Sequence, residues 1–98
     1  MKTFEKKIKE SVPTLLVFQH AGNQDVVEVK YLIKELKEKY GSKANIITYD
    51  TTHNGQLKVD YKIKEYPTWI LYKEGQELMR ESGRKTVAQL EDMIVRAL

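Results

Sequence analysis

The sequence contains no cysteine. That absence excludes disulfide cross-links, thiolate metal sites, iron–sulfur clusters and cysteine nucleophiles. A small chain without such staples must hold together by packing alone, and 98 residues suffice for one core of modest stability. Proline is scarce, at two residues, and the five glycines stand between periodic segments rather than inside them. No Gly-rich phosphate loop, His-Glu-x-x-His helix or Ser–His–Asp arrangement is present. No apolar run approaches the roughly 20 residues that a membrane span needs. The start, Met1-Lys2-Thr3-Phe4-Glu5-Lys6-Lys7, lacks an apolar stretch and a small-residue cleavage site. The expectation is therefore a cytoplasmic chain without a signal peptide. Charge of one sign is lacking too: 17 basic and 14 acidic residues leave a net +3, with the signs interspersed. Such mixing argues against specific nucleic-acid binding, which uses a concentrated basic face.

What is present is ordinary for a globular protein, with 41% hydrophobic and 32% charged residues. There is no internal repeat, low-complexity tract or linker, so residues 1–98 read as a single domain. Thr3 to Ser11 reads as a short helix with Phe4 and Ile8 on one face, stopped by Pro13. Thr14-Leu15-Leu16-Val17-Phe18 is a continuous apolar run suited to a strand buried on both faces. From Asp25 to Tyr40 the period changes, and Val26, Val29, Ile33, Leu36 and Tyr40 mark one side of a helix. Asn23 or Asp25 can cap its start, Gly41 fits its end, and Glu35 can pair with Lys39. Asn45 to Tyr49 is a second buried strand, giving a right-handed βαβ unit.

After a turn cluster at Thr51 to Gly55, Gln56 to Tyr61 reads as a short helix with Leu57 and Tyr61 inward. Tyr66 to Tyr72 is aromatic and apolar, and its strand should begin just after Pro67, which cannot donate to a ladder. Lys73-Glu74-Gly75-Gln76 reads as a tight hairpin. A partner strand, Glu77 to Ser82, alternates Leu78 and Arg80 against Met79 and Glu81. Thr86 to Leu98 is amphipathic, with Val87, Leu90, Ile94 and Ala97 inward and a capping box from Thr86 to Gln89. The order is α-β-α-β-α-β-β-α, in the α/β class.

Three local patterns carry a family resemblance. One is the strand Leu15-Leu16-Val17-Phe18, a short loop, and a long helix ending Lys39-Tyr40-Gly41. Another is Ile63-Lys64-Glu65-Tyr66-Pro67-Thr68, and a third is the turn Tyr72-Lys73-Glu74-Gly75-Gln76, followed by Gly83. Together the chain resembles the thioredoxin family over nearly its whole length. The resemblance implies a thioredoxin fold: a four-stranded mixed sheet flanked by helices, without the extra N-terminal strand of the longest members. It also implies that Pro67 is a cis-proline. In catalytic members the loop after the first core strand carries Trp-Cys-x-x-Cys. Here Gly22 stands at the tryptophan, Asn23 and Val26 at the two cysteines, Val17 at a buried acidic residue and Gln19 where an aromatic is common.

Dithiol exchange needs a thiolate to attack a sulfur and a second thiol to resolve the mixed disulfide. Asparagine and valine offer neither, and the only sulfur is in Met1, Met79 and Met93. Thiol–disulfide oxidoreductase activity is therefore excluded, and the reading leans away from any enzyme. The resemblance implies that a peptide groove survives at Gly22, Asn23, Gln24, Tyr66, Pro67 and Gly83, with Tyr66 and Gln19 flanking it. The expected function is a non-catalytic peptide- or protein-binding module for an unknown partner. Tyr66→Ala and Gly83→Arg are expected to weaken capture without unfolding the chain.

Other constellations are thinner. His20 and Asp25, with His53 and Asp50, are the only metal-ligand candidates, and the reading is that no metal or cofactor is held. The alternatives are an enzyme of another class, with transferase-like small-molecule or anion binding at the helix start near Asn23, where Asp25 opposes an anion, or a structural, oligomeric role. Ser11, Ser42 and Ser82 adjoin turns with no evident base. Lys30, Lys34, Lys37 and Lys39 read as a solvated helix face. No membrane partner is expected, and the state is expected to be a monomer or weak homo-oligomer.

Overall fold

In the computed structural model, which describes residues 6–24 and 26–98, the sheet is organised around strand β1 (Thr14–Gln19). Every residue of β1 is buried, so both its faces must be covered. Its parallel neighbour is β2 (Asn45–Asp50) and its antiparallel neighbour is β3 (Thr68–Lys73). A hairpin then adds β4 (Gln76–Ser82), giving the order β2-β1-β3-β4. Helix α1 (Val26–Tyr40) connects β1 to β2, α2 (Gly55–Asp60) follows β2, and α3 (Val87–Ala97) closes the chain.

Period-2 alternation sends successive side chains to opposite faces. Leu15 and Val17 join Val29, Ile33, Leu36, Trp69, Leu90 and Ile94 under α1 and α3. Leu16 and Phe18 join Leu57, Ile63, Ile70 and Tyr72 on the face that α2 covers. Burying each large apolar side chain contributes about 1.5–3 kcal/mol before entropy is counted. Tyr61 caps α2 and packs its ring 5.1 Å from that of Phe18.

The local signals explain the ends of these elements. Thr86 Oγ1 accepts from the Gln89 N–H while Gln89 Oε1 accepts from the Thr86 N–H, closing the capping box of α3. Glu74 and Gly75 both take positive φ, 53° and 83°, as a two-residue hairpin turn requires.

Several expectations need correction. Only the later part of the Thr3–Ser11 segment lies among the described residues, and Phe4 falls outside them. Within them the helix ends at Lys7. Beyond it the Ile8 and Glu10 carbonyls accept from Gly75 and Glu74 of the hairpin instead of continuing a helix. Strand β2 is not buried on both faces: only Ile46 is buried, because β2 is the outermost strand. The β3–β4 register slips between Leu71 and Tyr72, which leaves Leu78 exposed while Met79 packs on the α1 side. Lys39 reaches Glu91 of α3 at 2.9 Å rather than Glu35 on its own helix.

Arg80 ties β4 to the end of α2. Its guanidinium donates to the Tyr61 carbonyl at 2.7 Å and is held from behind by both Glu77 oxygens. Those hydrogen bonds hold the Glu77 carboxyl below its ordinary range. A carboxylate lowered in the folded state stabilises it above the unfolded pKa, and that share is lost as pH falls through the folded value. Solvent exposure keeps the share small. Glu77→Gln should therefore lower the melting temperature at pH 7, and the gap from the parent chain should close in melts at about pH 3.

Candidate functional site

The register of the sheet brings four strand ends together. Phe18 pairs with Thr68, Thr68 with Ser82, and Gln19 with Asp50. The loops leaving those ends therefore meet on one edge: residues 20–24 before α1, the Tyr66–Pro67 turn, and Gly83 after β4.

The first loop is held by short-range bonds. The Asn23 N–H donates to the His20 carbonyl at 2.9 Å, and the Gly22 N–H donates to His20 Nδ1 at 3.2 Å. Further along, Ala21 donates to Thr52 Oγ1, and the Thr52 N–H and hydroxyl both donate to Asp50 Oδ1. These two bonds hold the Asp50 carboxyl below its ordinary range. The loop is thus fastened to the end of β2.

The decisive contact lies across the edge. Asn23 Nδ2 donates to the Tyr66 carbonyl at 2.9 Å. The Tyr66–Pro67 peptide bond is cis. Tyr66 is anchored at its other end, where its hydroxyl lies 2.6 Å from Thr51 Oγ1. Thr51 spends its own hydrogen on the Gln19 carbonyl at 3.3 Å, so Tyr66 is the donor of the pair. The His20 ring lies against that of Tyr66, 5.5 Å between centroids. On the far side the Gly83 N–H donates to the Pro67 carbonyl at 2.8 Å, and the Gly83 carbonyl accepts from Trp69 Nε1 at 3.0 Å.

Asn23, Tyr66 and Gly83 therefore form one connected, half-exposed surface around the buried Pro67, with Gly22 and Gln24 exposed beside it. The Val26 N–H donates to the Asn23 carbonyl at 3.5 Å, while Val26 lines a groove between α1 and β2 that His20 and Ala21 also border. Gln19 does not flank the surface as a free polar group, because it is only 8% exposed. Thr51, Thr52 and His20 form the supporting shell. Residue type alone gives no sign of Thr51, which matters only because the register places it under Tyr66. Among the described residues no three His, Asp or Glu side chains gather as a metal site, and Asp25 lies outside them.

Two of the substitutions expected to be clean are not. Removing the Tyr66 ring strips the donor from buried Thr51 and packing from the α2-side core. Gly83 has φ +87°, which strains any side chain placed there.

Comparison with known proteins adds the family. The Thioredoxin family model matches residues 2–96. The chain belongs to the thioredoxin family. It is 30% identical over 96 residues to the thioredoxin of Acetoanaerobium sticklandii, covering 94% of this chain and 90% of that protein. It is 33% identical over 64 residues to Thioredoxin X, chloroplastic, of Arabidopsis thaliana, covering 63% of this chain and 35% of that one. Among solved structures, Fasciola hepatica thioredoxin superposes with a TM-score of 0.85 at 20% identity, covering 97% of this chain and 91% of that one. The thioredoxin fold is thus present in a chain that has no thiol. No helix among the described residues is long and apolar enough to cross a membrane.

Asn23→Ala should remove the bridge to Tyr66 and lower unfolding free energy by about 1–2 kcal/mol in a urea titration. The fold itself should persist, because Asn23 is half-exposed and outside both cores.

Proposed function

We propose that this thioredoxin-family chain is a non-catalytic binding module that holds an extended segment of a peptide or partner protein beside Pro67. The observation that carries the reading is the Asn23 bond to the Tyr66 carbonyl. It supports the view that the residue standing at a family cysteine position has become a hydrogen-bonding group aimed at the Pro67 turn. A carboxamide offers both donors and an acceptor, the same functions that an extended backbone presents. The Tyr66 carbonyl keeps a second lone pair for an incoming N–H. Binding through the backbone needs no special side chain on the partner, while the His20 and Tyr66 rings supply an aromatic wall.

The absence of sulfur chemistry is independent of that reading. Without a thiolate there is no attacking group for a disulfide. In an insulin-reduction assay with dithiothreitol, the chain should give the rate of buffer alone.

The binding reading is tested with a displayed library of random linear heptapeptides. Selected peptides should move the amide signals of Gln24, Tyr66 and Gly83, and Gln24→Arg should weaken them at least about tenfold. Gln24 is exposed, so its replacement leaves the melting temperature unchanged. No enrichment, or shifts confined to other surfaces, overturns the reading.

A further inference from the structure

The outer side of β2 is a second surface with its own chemistry. The Asn45 N–H donates to the Pro13 carbonyl and the Thr51 N–H to the Gln19 carbonyl, both on the β1 side. Every second residue of a strand points the same way, so Ile47 and Tyr49 also face β1. The N–H and C=O groups of Ile46 and Thr48 therefore face outward. Among the described residues no strand pairs with that side.

The two faces beside this edge differ in character. On the α1 side lies a groove of about 850 Å³ whose rim carries Lys30, Lys34 and Lys37, with Glu38 beside them and Asp50 at the β2 end where Thr52 holds it, and whose wall includes exposed Tyr31. None of these lysines makes an ion pair among the described residues. The groove ends on Gln19, whose buried Oε1 has no hydrogen-bond partner there. On the opposite face Ile47 and the ring of Tyr49 are half-buried and pack against the α2-side core.

We infer that the β2 edge docks an extended acidic segment of a partner protein as an added strand. Ile46 and Thr48 supply the ladder hydrogen bonds. Alternation of the incoming strand then puts one set of side chains against the lysines and the other beside Ile47 and Tyr49. The matching sequence alternates acidic and apolar residues. A second copy of this chain fits worse. Two β2 strands paired antiparallel would set both α1 helices on one face, lysine row against lysine row.

The test is an amide-shift titration of the labelled chain with a blocked heptapeptide of alternating Glu and Val, and with its Lys and Val counterpart. The acidic peptide should saturate, move the Ile46 and Thr48 amides and slow their exchange, while the basic peptide should not. Combining Lys30→Glu, Lys34→Glu and Lys37→Glu should weaken binding at least about tenfold, as should raising NaCl from about 0.05 to 0.5 M. Thr48→Pro should abolish binding with little change in melting temperature, because that N–H has no partner in the sheet. The inference is overturned by equal binding of both peptides or by no saturable shift at Ile46 and Thr48. It is overturned equally by shifts only around Gln24 and Gly83, or by sedimentation showing a dimer that Thr48→Pro splits.

Discussion

Leu15, Leu16, Val17 and Phe18 are all fully buried, although they alternate between the two faces of the sheet. A strand with no solvent side requires cover on both, and a chain without disulfides can supply it only by packing. That requirement accounts for the layering. Helices α1 and α3 lie over one face, and α2 with its following turn lies over the other. It also determines where the site is. Once β1 is central, β3 runs antiparallel beside it and β2 parallel on the other flank, so the end of β1 meets the end of β2 and the start of β3. The sheet register alone places the loop bearing Asn23 beside the turn bearing Pro67.

The parts legible in the sequence are those whose signal is local. The apolar run of β1, the spacing of Val29, Ile33 and Leu36, the Glu74-Gly75 turn and the Thr86 to Gln89 box each depend on neighbours within a few residues. The parts misread depend on partners distant in the chain. Ile46 and Ile47 look like a buried pair, but whether a strand is central or at the edge is decided by what lies beyond it. Lys39 has an acceptable partner four residues away, yet α3 brings Glu91 closer to hand. Leu78 belongs to a regular alternation until the bulge consumes one residue. Gln19 reads as a polar residue flanking the groove, whereas its place as the last residue of a buried strand overrides its chemistry. In the candidate site, the convergence of Asn23, Tyr66, Pro67 and Gly83 was legible through family resemblance. Their supports, Thr51 and Trp69 Nε1, were not.

A thiol and a carboxamide place different demands on the same loop. A thiolate is useful in proportion to how well its surroundings favour charge, and it must stay reachable by a sulfur. A carboxamide is neutral and is useful when oriented. Asn23 meets that demand by leaning on the Tyr66 carbonyl. In the proposed binding role, a segment that displaced this neutral hydrogen bond would give up roughly 1 kcal/mol net, a modest barrier when two or more backbone bonds replace it.

The two edges of the sheet are treated unequally, and the difference bears on what each is for. The β4 edge is interrupted by a bulge, and Glu77, Glu81 and their partners Arg80 and Lys85 crowd it with paired charge. Bulges and charges are the usual means of discouraging a further strand. The β2 edge has an unbroken register and neither bulge nor proline. Of its nearby charges, Lys30, Lys34, Lys37 and Glu38 sit on α1, set back from the strand, and Asp50 closes the end of β2, where Thr52 holds it. The three lysines form no ion pair among the described residues. Lysines placed on the strand itself would repel any incoming backbone's neighbours. Lysines set back across a groove repel a basic strand and a second copy of this chain but attract an acidic one. An edge left straight and bordered in this way discriminates among strands rather than excluding them all.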